Sequence, residues 1–293
     1  MPLSARALRH IGIAYPMEQT SLQAAAELSQ SRLACPILLG PQRRMLELAR
    51  TFSIDISDVE IVDTGDDPSN AARFACTLAK EQRIDILMKG SLHTDELMHA
   101  ALDRENGVRA RKRVSHTFVM EIAGRDAPLL LSDCAINIHP DLDTKRAIVE
   151  NAMQAAHSIG IANPRVGILS ATESILPAIS STLDAAALRT MAARGQIYGG
   201  SLDGPLALDN AVSMHSAKTK QIVSDVAGQA DVLIMPNLEA GNILYKALVY
   251  FAKAECAGIA IGAQVPIVLT SRADSLLSRV ASVGLALGIL DCR

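Results

Sequence analysis

Near the end of the chain, Ser271, Arg272 and Asp274 place a hydroxyl, a guanidinium and a carboxylate within four positions. A guanidinium grips a phosphate through paired hydrogen bonds, while a hydroxyl and a carboxylate can hand a proton on. The residues before them, Val265-Pro266-Ile267-Val268-Leu269-Thr270, are apolar and β-branched, and read as a buried strand. Leu276, Leu277, Val280 and Leu285 then recur as one face of a closing helix. Open α/β sheets bind ligands at the carboxyl ends of their strands, where helix N-termini favour anions. The triplet is therefore a candidate anion site.

A second polar turn follows the apolar run Ile84–Met88, where Lys89-Gly90-Ser91 leads into a helical pattern from Thr94. Gly90 admits an anion close to the backbone, Lys89 supplies charge, and Ser91 and Thr94 supply hydroxyls. The pattern lacks the spacing of a nucleotide phosphate loop, and it equally fits a turn with a surface lysine and a capping threonine. His93 and His99 are six apart and point to different helix faces, so no metal site is expected. Arg104, Arg109, Arg111, Lys112 and Arg113 form a basic run, either a solvated face or a patch for a polyanion such as the phosphates of coenzyme A.

Two further turns carry polar groups. In Gly199–Asn210 the glycines and Pro205 predict a tight, non-helical path, with Asp203, Gly204 and Asp209 as candidate contacts. A run Asp231–Met235 exits into Pro236-Asn237-Leu238-Glu239-Ala240-Gly241-Asn242. Here Asn237 is also a helix cap in waiting, and Gly241 also fits close helix packing.

Positioning these turns requires alternating short apolar runs and longer amphipathic ones. Strands are expected at His10–Ala14, Cys35–Leu39, Val59–Val62, Ile84–Met88, Phe118–Ile122, Pro128–Leu131, Arg165–Ser170, Asp231–Met235, Cys256–Ile261 and Ile267–Leu269. Helices are expected at Glu18–Ser29, Gln42–Phe52, Pro68–Glu81, Asp143–Ile159 and Leu238–Ala252, with Asp143 or Thr144 capping the fourth. This rhythm predicts a mainly parallel α/β sheet covered by helices. Phe118–Ile122 and Pro128–Leu131 flank Gly124-Arg125-Asp126 as a β-hairpin, the mark of a second domain entered near 107–114.

At 293 residues, 49% hydrophobic and 20% charged, the chain has room for two cores. A net charge of −3, 3% aromatics and no Trp argue against nucleic-acid binding. Five scattered cysteines without a Cys-x-x-Cys pair read as reduced, buried residues of a cytoplasmic protein. No signal peptide or membrane span is expected.

Taken in order, Lys89-Gly90-Ser91 through Leu97, Gly199 through Asn210, Pro236 through Asn242 and Thr270 through Ser275 resemble the phosphate acetyltransferase and phosphate butyryltransferase family. The resemblance runs roughly from Ile11 to Ile289. It implies two α/β domains around a cleft, an isocitrate dehydrogenase-like fold, with the last segment returning to the first domain. The expected division is 1–110 plus 270–293 against 111–269. It implies a homodimer that reversibly transfers a short acyl group, acetyl to butyryl, between coenzyme A and orthophosphate. No cofactor or metal is implied, coenzyme A being a substrate, and neither nucleic acid nor membrane is an expected partner.

By the same resemblance Ser271 donates to the reacting carbonyl or thiol and Arg272 holds phosphate. Lys89, Gly90, Ser91, Asp203, Gly204, Asn237, Glu239, Gly241 and Asn242 are expected to contact substrate. Acetyl-specific members carry an acid seven positions after the serine, where this chain has Ser278, so Asp274 becomes the candidate base or the residue that orients Arg272. Where such members carry a phosphate-side arginine, this chain offers Asp95-Glu96-Leu97-Met98, which makes Met98 a candidate acyl-pocket residue. Two readings stay open beside this one: a metal- and NAD(P)-dependent decarboxylating dehydrogenase on the related fold, and a non-catalytic coenzyme A-binding protein.

Overall fold

The computed structural model describes residues 8–270 and 274–292. Among these the chain forms two compact units, 1–111 with 258–290 and 112–257 with 291–293. The return to the first unit comes at Gly258 rather than at residue 270, because a strand earlier than the expected one already belongs to it.

The first unit begins with β1 (His10–Ala14), α1 (Gln19–Gln30), β2 (Cys35–Gly40), α2 (Gln42–Thr51), β3 (Glu60–Asp63), α3 (Pro68–Lys80), β4 (Ile86–Lys89) and α4 (Thr94–Ala101). The second comprises β5 (Ser115–Glu121), β6 (Leu129–Ser132), α5 (Leu142–Ser158), β7 (Arg165–Leu169), α6 (Ser180–Ala193), β8 (Ser201–Leu206), α7 (Leu208–Val212), α8 (Met214–Thr219), β9 (Val232–Ile234) and α9 (Leu238–Ala252). The chain closes with β10 (Glu255–Ile261), β11 (Ile267–Val268) and α10 (Leu276–Asp291).

In the first unit the strand order is β3-β2-β1-β4-β11-β10. All neighbours are parallel except β10 and β11. Ile11, Ile13, Leu38, Leu39, Ile86 and Leu87 are fully buried, as expected of strands covered on both faces. The order places β4 between β1 and β11, with Ile267 beside Leu87 and Val268 beside Met88. The turns after β4 and β11 therefore leave the sheet side by side.

The second unit has the order β5-β6-β9-β7-β8. The hairpin is present, with β5 antiparallel to β6 and Phe118 opposite Leu131; the remaining pairs are parallel. Phe118 stacks on Tyr245 of α9 with ring centroids 3.8 Å apart, and Met120, Leu131 and Leu233 extend that core.

Two expectations need correction. Gly199–Asn210 is not simply a turn, since Ser201–Leu206 forms edge strand β8 and Pro205 sits in it. An edge strand tolerates proline because its outer side donates to no neighbour. The cap of α5 is Asp141, whose side chain accepts from Thr144 N at 2.9 Å, rather than Asp143 or Thr144. No helix among the described residues is long and apolar enough to cross a membrane.

Candidate functional site

The exits of β1, β4 and β11 meet at one end of the first unit. Gly90 N donates to Ala14 O at 2.9 Å and Ser91 N to Tyr15 O at 2.8 Å, stitching the β4 turn to the end of β1. A Cβ on Gly90 would stand 2.5 Å from Ala14 O and 2.6 Å from Tyr15 O, so only glycine permits the stitch. Tyr15 itself adopts φ +54 to turn the chain there. Lys89 is buried, and its Nζ donates to the carbonyls of Gly90 and Leu92 at 3.1 and 3.0 Å. The expected exposed charge thus folds inward and shapes its own turn.

Ser271 and Arg272 lie outside the described residues, but both flanks are described. Thr270 is buried, Asp274 is half-exposed, and Ser275 caps α10 by accepting from Ser278 N at 3.1 Å. Ser278 is buried, with Ser275 Oγ 3.2 Å from its own Oγ. It stands in the first turn of the helix, not on an exposed surface.

Sequence reasoning missed Arg279, which is fully buried. Its Nη2 donates to Glu18 Oε1 at 2.6 Å, and its Nη1 donates to Ser21 Oγ and Thr270 Oγ1, each at 3.2 Å. The available signal was a charge in phase with Val283 and Ala286 on the apolar stripe of α10. Met98, the candidate acyl-pocket residue, is 8% exposed on the inner face of α4 beside Leu97 and Ala101. A charge placed there would be buried, so Met98→Arg reports on folding before it reports on acyl size.

The second unit carries the other predicted residues, and packing accounts for most of them. Asn237 caps α9, accepting from Ala240 N at 2.9 Å. Gly241 passes so close to β6's exit that a Cβ would lie 2.6 Å from Asp133 O. Asn242 Nδ2 donates to Cys134 O at 3.3 Å, while Glu239 is exposed in the first turn of α9. Asp203 and Gly204 sit within β8, not at its exit, and β7 separates them from β9. Asp203 is paired with Arg189 at 3.0 Å, and a Cβ on Gly204 would stand 2.8 Å from Ile168 O.

Asp133 is another residue the sequence reading missed. It is buried, and it accepts from the backbone N–H groups of Ala135, Ile136 and Asn137 and from Asn137 Nδ2. Burial pushes its carboxyl above the ordinary range, against the pull of those four donors. After β7 and β8, Glu173, Asp209 and Lys220 form an exposed mesh, with Lys220 Nζ 3.1 Å from Glu173 and 3.4 Å from Asp209. A groove of about 540 Å³ beside it is lined by Glu173, Arg189, Arg194, Asp203, Pro205 and Val223. Among the described residues no cluster of His, Cys, Asp and Glu could hold a metal ion.

Of the two clusters, the first unit's exits suit an anionic reaction better. There the Lys89-Gly90-Ser91 turn and Thr270, which precedes Ser271 and Arg272 in sequence, follow neighbouring parallel strands.

The likeness to known proteins spans both units. A family model described as phosphate acetyl/butaryl transferase matches residues 69–286. The chain is 48% identical over 274 residues to a phosphate acetyltransferase of Rhizobium meliloti, covering 94% of this chain and 86% of that protein. It is 39% identical over 278 residues to a phosphate butyryltransferase of Clostridium beijerinckii, covering 95% and 92%. A crystal structure of a branched-chain phosphotransacylase from Enterococcus faecalis V583 is 29% identical and superposes with a TM-score of 0.83, over 97% of this chain and 99% of that one.

Proposed function

The chain belongs to the phosphate acetyl/butyryl transferase family and is an acyltransferase, and from that premise we propose the following reaction and site. A short acyl group, acetyl to butyryl, moves reversibly between coenzyme A and orthophosphate, with both substrates bound together. In the direction of acyl-CoA synthesis, the thiol loses its proton to a base and its sulfur attacks the carbonyl carbon of the acyl phosphate. The tetrahedral oxyanion collapses, the bond from carbon to phosphate oxygen breaks, and phosphate departs. No covalent acyl-enzyme forms.

The observation that carries this reading is the adjacency of the β4 and β11 exits in a parallel register. It supports Arg272 as the ligand of phosphate, through bidentate geometry that a lysine lacks. Ser271 donates to the reacting carbonyl or the thiol. Asp274, half-exposed on the turn, takes the proton or orients Arg272. Ser278, where acetyl-specific members carry an acid, is buried in the start of α10 and bears no group that titrates. Gly90 and Ser91 border the phosphate, and Lys89 shapes their turn from beneath.

We assign the working form to a homodimer. Support comes from α9, where Ile243, Tyr250 and Phe251 are 69%, 60% and 88% exposed at helical spacing on a helix otherwise rich in apolar residues. Sedimentation of the protein should give twice the chain mass, and Phe251→Glu should move it toward the monomer; a monomeric wild type removes the assignment.

The test of the reaction is thiol release from acetyl-, propionyl- and butyryl-CoA, with and without phosphate. Release that needs both acyl-CoA and phosphate is expected. Turnover that instead needs NAD or NADP, or coenzyme A binding without turnover, overturns the reading.

A further inference from the structure

Arg279 has the largest of the fully buried side chains among the described residues, and it is a charged one in the heart of an α/β unit. An apolar side chain of similar size would fill that volume without the desolvation cost of a guanidinium. Its partners come from two segments that are distant in sequence, the start of α1 and the end of β11. Glu18 directly precedes α1, Ser21 lies in the first turn of α1, and Thr270 follows β11. Glu18 Oε1 also accepts from Ser21 Oγ at 2.8 Å, so one carboxylate oxygen anchors both the hydroxyl and the guanidinium.

The strand order gives this fork its meaning. Glu18 and Ser21 follow β1, Thr270 follows β11, and β4 runs between those two strands. Arg279 therefore braces the two strands that flank the Lys89-Gly90-Ser91 turn, and it grips the residue that immediately precedes Ser271-Arg272 in sequence. Its helix is tied down as well, since Ser282 Oγ donates to Ser278 O at 2.7 Å and accepts from Gly258 N at 2.9 Å.

We propose that Arg279, paired with Glu18, is a positioning residue for acyl transfer. It fixes the spacing between the β1 and β11 exits, and so the placement of the groups that meet phosphate. This inference rests on the function proposed above. Arg279 is fully buried, so it acts through the residues it holds, Thr270 among them. Small misplacements of reacting groups are costly, roughly 100-fold in rate for about 1 Å.

The experiment compares Arg279→Ala, Arg279→Lys and Glu18→Gln with the wild type, using kcat and KM for each substrate and circular dichroism for folding. Wild-type turnover is established first, because its absence would overturn the proposed function and not this inference. Folded Arg279→Ala should lose roughly 100-fold in kcat, and millimolar guanidinium should restore part of it where ammonium does not. Arg279→Lys should stay well below wild type, because one ammonium cannot reproduce the planar fork. Glu18→Gln keeps the side chain's shape and carries the test if the arginine variants fail to fold; its kcat should fall at least roughly 10-fold. Folded variants at either position with wild-type kcat overturn the proposal. So does a loss that merely tracks the unfolded fraction and shows no guanidinium rescue.

Discussion

Two arginine–carboxylate pairs divide the labour of this molecule. In the first unit Arg279 meets Glu18 at the carboxyl ends of the strands, and the guanidinium is completely shielded from water. In the second unit Arg165, at the start of β7, meets Asp231 just ahead of β9. Its Nε and Nη2 bond the two carboxylate oxygens at 2.9 and 2.8 Å, and the arginine side chain remains 37% exposed. The second pair is the better-formed fork. Yet it sits where strands enter the sheet, joining the start of β7 to the approach of β9. Among the described residues, the first pair meets through one carboxylate oxygen and recruits two hydroxyls, and one of those belongs to Thr270, which precedes the proposed site in sequence. Position along the strand, not the quality of the ion pair, separates the register lock from the proposed brace.

That contrast breaks or sharpens at four places. The largest effect belongs to Ser271→Ala, which should lower kcat by about 100- to 1000-fold while the melting temperature stays put; a folded Ser271→Ala enzyme with near-normal turnover would dissociate the β11 exit from the chemistry. Next, Gly90→Ala should destabilise the protein by about 1–3 kcal/mol, because its Cβ would press on carbonyls 2.5 and 2.6 Å away. Chemical denaturation measures the loss, and an unchanged midpoint would show that the β1–β4 stitch is slack.

The third prediction concerns the register lock. Burial acts to raise the Asp231 carboxyl, but hydrogen bonds and charge from Arg165 hold it below the ordinary carboxylate range. A depressed folded-state value means that the stabilisation is present above about pH 4 and is lost as pH falls further. Asp231→Asn should therefore melt lower at pH 7 and lose less on acidification to about pH 3 than the wild type does. Its kcat per folded molecule at pH 7 should not change; a fall in kcat would give the second pair a role in catalysis. The smallest effect is reserved for Lys220→Met, in the exposed mesh with Glu173 and Asp209. Its melting temperature should stay within about 2 °C of wild type, and a larger shift would mean that this cluster is more than a solvated surface.

Much of the architecture was legible because the strands are short apolar runs buried on both faces. The hairpin 115–132, the closing helix and the β4 and β11 exits all announce themselves through periodicity and turn residues. What escaped notice shares one cause. β8 has the composition Ser-Leu-Asp-Gly-Pro-Leu, which reads as a turn unless one knows that it occupies an edge, and Gly204 is there to let β7 approach. Asp133 and Arg279 are charges in the interior, and a sequence ordinarily assigns charges to the surface. Their partners are three-dimensional: Glu18 lies 261 residues from Arg279 in the chain. Asp203 reads as a ligand contact in the sequence, and its partner Arg189 is likewise visible only in three dimensions.

The first unit is built from both ends of the chain, and this sets an order of events during synthesis. Residues 112–257 emerge as a continuous stretch and contain all of the second unit's strands except the one that bridges the return. The first unit emerges earlier but waits longer. Until residues 267–268 leave the ribosome, β4 is a bare edge, a template for wrong pairing, and Glu18 has no arginine to meet. A released chain that ends shortly before Ile267 should therefore protect the second unit from protease while the first remains cleavable. The end of the first unit proposed as the reaction site is thus completed only when β11 joins β4.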